Sequence, residues 1–356
     1  MTDERKDKMS GSGMAGYAAC AGKFQLEQTC PRDEGNIYTE MGNRIHEVLA
    51  GLKELDTLSD EEQDIVRRCN YQYNEVYASL PDEVGEVEGS VLENRLWYGE
   101  QWSGQVDRID FFQQGQVALV VDWKTGRTPQ GNAAENLQLR AYAVLVKKNY
   151  PALKRIFVAI VQPLAAPYTI AEYDVADLAS ADEQIQSIVD AALAPNPPRT
   201  PSPDACKYCR AKSICPEAQG QVTALAEVKA DIIPVLTDEQ VADFLEKAVV
   251  VESFIESLRA EAKKRLQDGA EIVGYKLGAG RTSRSIEDLQ GAHSKLVAVI
   301  GEEAFLSACK VSVPTLEKSY AAASGLKGKA AKEAFEAEVA DLLIQKQGEP
   351  VMTRTK

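Results

Sequence analysis

A chain of 356 residues, 44% of them hydrophobic, is long enough to bury a substantial core and to divide into two domains. It contains no run of about 18 apolar residues, which excludes a transmembrane helix and membrane partners of that kind. A net charge of −14 excludes a surface that clings to nucleic acid everywhere, while leaving room for a local basic groove.

The polar start, residues 1–13, lacks the apolar centre of a signal peptide and reads as a loose tail, with the cytoplasm as the default compartment. The seven cysteines (Cys20, Cys30, Cys69, Cys206, Cys209, Cys215 and Cys309) are then thiols or metal ligands rather than disulfides. Residues 14–29 place Tyr17, Cys20, Phe24 and Leu26 roughly at helical spacing. Residues 38–53 form a better helix, with Ile45, Val48, Leu49 and Leu52 in one stripe and His46 beside it. A lone helical histidine reads locally as a packed or surface residue before it reads as a ligand. A third helix spans 60–80 and stops at Pro81, and 85–97 reads as the first strand of a sheet.

Residues 103–112 and 116–124 are strands that pair antiparallel through the turn Gln113-Gln114-Gly115. The second is an apolar run that ends in Asp122-Trp123-Lys124. Charges leave water only when something binds them. Alternation puts Asp122 and Lys124 on one face and Trp123 on the other. With Asp107 on the neighbouring strand, these groups make a place for a hard divalent cation and a polarised water.

The next helix, 133–148, carries Gln138 and Tyr142 one turn apart, locally no more than a surface amide and a half-buried tyrosine. Strands over 155–162 and 168–173 follow, then an amphipathic helix over 176–193. The connector PNPPRTPSP leads into Cys206-x2-Cys209 and Cys215. Three thiolates at this spacing, with a distant fourth, fit a four-cysteine iron–sulfur cluster or a zinc site better than three buried free cysteines. The lack of a second Cys-x2-Cys places iron–sulfur ahead of zinc. Cys20 is the best-placed fourth ligand and Cys30 the fallback.

From about residue 219 alanine, glutamate and lysine rise. Thr237 to Gln240 is a capping box opening a helix to about Leu266, with Val241, Phe244, Leu245, Ala248, Val251, Ile255, Leu258 and Ala262 on one face. A hairpin-like unit near 272–285 displays Lys276, Arg281 and Arg284, as phosphate contacts or as solvated loop charges. Helices resume over 289–300, 302–308 and 329–346. The division expected is a tail over 1–13, a core over 14–218 and a mainly helical accessory domain over 219–356.

Several of these features occur together in one known pattern. Gly42 to His46 matches a helical Gly-x-x-x-His, Gly104 to Asp107 a Gly-x-x-Asp, and Asp122 to Lys124 an acid-x-Lys. Gln138 and Tyr142 match a Gln-x-x-x-Tyr helix, and Cys20 with Cys206, Cys209 and Cys215 matches an early cysteine followed by a late trio. From about Cys20 to Cys215 the chain thus resembles the RecB-like branch of the PD-(D/E)XK nuclease superfamily. The likeness is to its iron–sulfur members, such as the CRISPR adaptation nucleases and AddB-type exonuclease domains. The segment GYKLGAGRTSR and the later PTLEK are similar to the tails of phage-encoded proteins of this kind.

The resemblance implies an α/β (α+β) fold: a restriction-endonuclease-like core with a central mixed sheet flanked by helices. It implies a metal-dependent DNA exonuclease in which His46, Asp107 and Asp122 hold Mg2+ or Mn2+. Lys124 would orient or deprotonate the attacking water, and Gln138 and Tyr142 would orient the substrate. Cys20, Cys206, Cys209 and Cys215 would carry a structural 4Fe-4S cluster. It places the protein in phage recombination or DNA end processing within a bacterial host cell, with DNA and a phage single-strand annealing protein as partners and oligomer formation open. The alternative is a catalytically idle nuclease fold that binds DNA ends or a recombination partner.

Overall fold

The computed structural model describes residues 7–31, 35, 37–226, 236–278, 289–309, 312–326 and 328–340. The fold grows from the apolar run Val117–Trp123 (β4), in which every residue is buried. A strand buried on both faces needs layers on both sides, and the chain supplies helices for each. On one face Ala118, Val120, Ile156, Val158 and Ile160 pack among residues of helices α5 (Leu137–Asn149) and α6 (Val175–Leu193). On the other, Leu119, Val121, Trp123, Phe157 and Ala159 pack with Ile45 of α3 (Ile37–Leu49) and with Ile65, Val66 and Cys69 of α4 (Asp60–Ala78). The result is a mixed α/β architecture, a central mixed sheet flanked by helices.

Strand β3 (Trp102–Phe112) pairs antiparallel with β2 (Gly89–Tyr98) and, from Arg108 onward, antiparallel with β4. The β3–β4 turn is the expected Gln113-Gln114-Gly115, with all three residues at positive φ. β4 runs parallel to β5 (Arg155–Val161), which demands a crossover, and α5 provides it. β6 (Thr169–Tyr173) closes the edge antiparallel to β5.

Two readings change on folding. Met9 and Ser10, assigned above to a loose tail, form a short strand β1 parallel to the start of β3, with Met9 fully buried. The single helix read over 14–29 is two, α1 (Met14–Ala19) and α2 (Lys23–Glu27), because the chain turns extended at Cys20. That break turns Cys20 toward the proline-rich connector, where Thr200 N–H donates to its Sγ at 3.4 Å.

The connector leads to α7 (Pro203–Lys207) and α8 (Pro216–Ala226), and then to the long α9 (Asp238–Gln267), which starts at the expected Thr237 capping box. The eight-residue apolar face expected of α9 is largely uncovered; Val250, off that stripe, is the residue that packs onto Cys206, Cys215 and Ala218. The chain forms two compact units, Met1–Leu277 and Gly278–Lys356. In the second, α10 (Leu289–Ile300), α11 (Glu302–Ala308), α12 (Val313–Ser324) and α13 (Gly328–Glu338) are the described elements, with Tyr320 edge-on to Phe335. Among the described residues no helix is long and apolar enough to cross a membrane.

Candidate metal centre and its surroundings

The site begins with capped helices that fix where side chains fall. Asn136 caps α5 by accepting from the Gln138 and Leu139 N–H groups, which sets Gln138 at the helix start. Ser59 and Glu62 form a capping box on α4, and Glu62 also accepts from Arg44 Nε of α3 at 2.9 Å, tying the two helices together. α3 presents His46 to the sheet, where Asp107 of β3 and Glu93 of β2 meet it.

His46 Nδ1 lies 3.1 Å from Glu93 Oε1 and 3.6 Å from Asp107 Oδ1. One ligand atom from each of the three falls within 4.8 Å of the others, the one such group among the described residues. An imidazole nitrogen with two carboxylates is a donor set for a divalent ion of the Mg2+, Mn2+ or Zn2+ kind. Burial by itself would lower the His46 pKa, but Asp107 and Glu93 outweigh it and raise the imidazole to about 10. At neutral pH the imidazole is therefore protonated and paired with the two carboxylates.

Glu93 is the member that the sequence did not single out. It sits at φ 44°, a left-handed conformation rare for a residue with a side chain. The β2–β3 pairing lapses there, with Leu92 opposite Arg108 and Asn94 opposite Val106, unchanged in register on either side. Its second oxygen accepts from Gln105 Nε2 at 2.8 Å, and Gln105 in turn accepts from Arg95 Nη2 at 3.0 Å. A strand glutamate fourteen positions before Asp107 carries no signature in the sequence, because the backbone twist that aims it is a property of the fold.

Asp107 faces both parts of the site: its Oδ2 accepts from the Trp123 N–H at 2.8 Å. Asp122 stands outside the three-residue group. Its Oδ1 accepts from Gln138 Nε2 at 2.8 Å and its Oδ2 from Lys124 Nζ at 2.8 Å. Burial raises the Asp122 pKa against the pull of Lys124, to about 6. For Lys124 burial works downward, but the Asp122 charge prevails and the ammonium is held above its ordinary value. Gln138 continues the chain by donating to Tyr142 Oη at 2.9 Å. Burial, then the charges of Asp122 and Asp107, push the Tyr142 phenol well above its usual range, so it stays neutral. The pairing of Asp122 with Lys124 on one face holds, and Trp123 points away, edge-on to Tyr73.

The glycine of Gly-x-x-Asp has a packing reason. A Cβ on Gly104 would lie 2.7 Å from Leu145 Cδ1 and 2.8 Å from Tyr142 Cε1, and one on Gly11 would lie 2.9 Å from the same ring atom. Tyr142 is thus seated between two glycines. His46, Glu93 and Gln138 open onto a groove of about 1870 Å3, which also reaches Lys23, Lys207 and Tyr208.

The groove's lining includes Lys207, Tyr208 and Arg210, sequence neighbours of Cys206 and Cys209, but none of the cysteines. Cys20, Cys206 and Cys215 are buried and Cys209 half-buried. Burial raises the Cys206 pKa, with a further rise from the charge of Cys20 and a counteracting fall from Lys23, itself buried and paired with Glu27 at 3.1 Å. Burial likewise raises Cys209, to about 11. No three of the sulfurs lie within 4.8 Å of one another, so they are not drawn onto a single small ion. Cys30 Sγ faces the Leu26 carbonyl at 4.0 Å. Lys276 is exposed beside the Ile272–Tyr275 bridge, away from the metal group's lining; Arg281 and Arg284 lie outside the described residues.

A family model described as "Protein of unknown function (DUF2800)" matches residues 52–356. No curated protein matches the chain. Among solved structures, the protein SSO0001 is 17% identical at a TM-score of 0.27, over 61% of this chain and 88% of that one. A Eubacterium rectale protein named provisionally as an exonuclease is 14% identical at a TM-score of 0.31, over 58% and 88%. Both overlaps are too loose to carry chemistry from one chain to the other.

Proposed function

The chain belongs to the family described as protein of unknown function (DUF2800), and for this member we propose metal-dependent hydrolysis of DNA phosphodiester bonds. The carrying observation is that three separate stretches of chain deliver His46, Glu93 and Asp107 to one point, with a third acid, Asp122, joined to Lys124. Ion pairs and capped helices need no such convergence, and a helix and two strands that bring a histidine and two carboxylates together, His46 and Glu93 on a groove wall, make a site rather than a staple.

In this reading His46, Glu93 and Asp107 hold Mg2+ or Mn2+, with Asp122 contributing as its protonation and its two hydrogen bonds allow. The fit rests on the donor set, one nitrogen and carboxylate oxygens at ligand spacing. A divalent ion, when bound, supplies Lewis-acid stabilisation of phosphate charge and lowers the pKa of water. Lys124 remains an ammonium beside Asp122, so its part is to donate to a phosphate oxygen or to orient the attacking water, rather than to act as the resting base. Gln138 donates to Asp122 and to the neutral Tyr142 phenol and accepts from Lys124 Nζ, which fixes the direction in which Asp122 and Lys124 point.

The reading includes PD-(D/E)XK chemistry on a restriction-endonuclease-like core, exonuclease action at DNA ends, and a structural 4Fe-4S cluster on Cys20, Cys206, Cys209 and Cys215. The cluster reading is supported by the state of the thiols: all four are free, three are buried and one is half-buried, and Cys20 lies beside the connector that leads to the other three, accepting the Thr200 N–H. By chemistry, residues 14–218 form the nuclease core and 219–356 the accessory domain, on which Lys276, Arg281 and Arg284 are DNA contacts. Phage recombination, in company with a single-strand annealing protein, is the setting that the C-terminal likeness favours.

The test is loss of an end-labelled DNA strand in Mg2+ or Mn2+. We expect Asp122→Asn and Lys124→Ala to lower the rate by at least about 100-fold while the circular dichroism is unchanged. Variants that degrade DNA as fast as the parent overturn the assignment. DNA binding without cleavage by the parent would mark a binder instead.

A further inference from the structure

Helix α9 runs for 30 residues, about 45 Å. Its apolar residues recur every seven: Val241, Ala248, Ile255 and Ala262 in one row, and Phe244, Val251 and Leu258 in a second, three positions on. That is the spacing of a two-helix seam sustained over more than three heptads, narrower than the stripe of a helix lying on a globular core. The helix attaches to its own unit by a nearly opposite side. Val250 packs on Cys206, Cys215 and Ala218, and Lys212 Nζ donates to Ser253 Oγ at 2.8 Å. Among the described residues of its own unit the seam is not buried: Val241 and Ile255 are exposed, Leu258 is exposed to 58%, and Phe244, Ala248, Val251 and Ala262 are half-buried.

We propose that α9 pairs with α9 of a second copy of this chain as a parallel two-stranded coiled coil. Residue choice is compatible with that geometry: β-branched Val241 and Ile255 occupy the first row, as in parallel pairs, and Leu258 shares the second with Phe244 and Val251. Charge agrees with it. Lys247 flanks the first row immediately before Ala248, and Glu252 flanks the second immediately after Val251. In a parallel pair these flanking positions face each other across the seam, so Lys247 of each copy meets Glu252 of the other, twice by symmetry. Lys247 now rests on Asp243 one turn away at 2.5 Å, an exposed pair that contributes little and yields readily. In an antiparallel pair lysine would face lysine and glutamate would face glutamate. The alanines at 248 and 262 thin the seam, which makes the dimer reversible on dilution.

The experiment is sedimentation of the full chain over a wide concentration range. The parent should shift from monomer to dimer. Leu258→Asp should weaken the dimer at least about tenfold, since a carboxylate would be buried without a partner. Lys247→Glu and Glu252→Lys should each weaken it, and the two together should restore it; both positions are surface changes, and circular dichroism checks the helix content. A monomer throughout, with the seam covered from within its own chain or reserved for a different protein, overturns the proposal. A dimer indifferent to Leu258→Asp overturns it too, and a double swap without rescue overturns the parallel pairing.

Discussion

Glu93 sits in a conformation that costs an ordinary residue about 1–3 kcal/mol. The hydrogen bonds that its carboxylate accepts from Gln105 and His46 hold it there, which places the expense at the centre of the candidate metal group. Glu93→Gln keeps the shape and removes the charge, so Mn2+ affinity by calorimetric titration should fall by at least about tenfold, a loss that even an outer-shell change incurs. Unchanged affinity would remove Glu93 from the group. Cys69 is a contrasting single residue, a thiol fully buried on α4 in the apolar cluster with Ile65, Val66 and Trp123, and burial pushes its pKa up to about 12. Below the ordinary thiol value of 9.0 it is neutral in the folded and unfolded chain alike. Above that value the unfolded thiol ionises first, so the stability it contributes is lost as pH rises from 9 toward 12. Denaturant unfolding at pH 8 and pH 11 should show a smaller alkaline loss in Cys69→Ala than in the parent.

Elements whose periodicity was unambiguous formed where the pattern placed them. The β3–β4 hairpin follows from two apolar runs around Gln-Gln-Gly, and α4 and α9 start at their capping boxes. The error over residues 14–29 arose because apolar spacing survives a break in the backbone: Cys20 and Phe24 keep the period while the chain between them turns to meet the connector, where Gly22 N–H donates to the Pro198 carbonyl at 2.9 Å. The β3–α5 contact is tighter than any pattern could say. Gly104→Ala would push a methyl group against Leu145 and the Tyr142 ring. Overpacking of this kind costs about 1–3 kcal/mol. A lower urea midpoint and slower DNA cleavage, with metal affinity kept, is the expected result, and an unchanged midpoint would show that Tyr142 has room to move.

On the scale of the molecule, the segment after the proline connector folds back onto the N-terminal helices of the first unit. Thr200, 180 positions beyond Cys20, donates to it, and Arg210 N–H reaches back to Glu27 at 3.0 Å. The N-terminal helices and the segment after the proline connector are therefore one neighbourhood, and α9 rests on it through Val250. Under the cluster proposal, Cys20→Ser and Cys206→Ser should lower bound iron and thermal stability together, read by iron assay and thermal unfolding. Cys69→Ser and Cys309→Ser should leave iron content alone. Iron kept in Cys20→Ser but lost in Cys30→Ser would move the fourth position to Cys30.

The order and type of the elements from α3 to α6, the Asp122–Lys124 pairing on one face and the capped start of α9 were all determined by the sequence, because each depends on neighbours within a few residues. The position of Glu93 beside His46, the burial of Met9 as a strand and the glycine-lined seat of Tyr142 were decided only by the tertiary structure. Each depends on groups far apart in the chain approaching within a few ångströms, and no local period records which distant surface a side chain will meet.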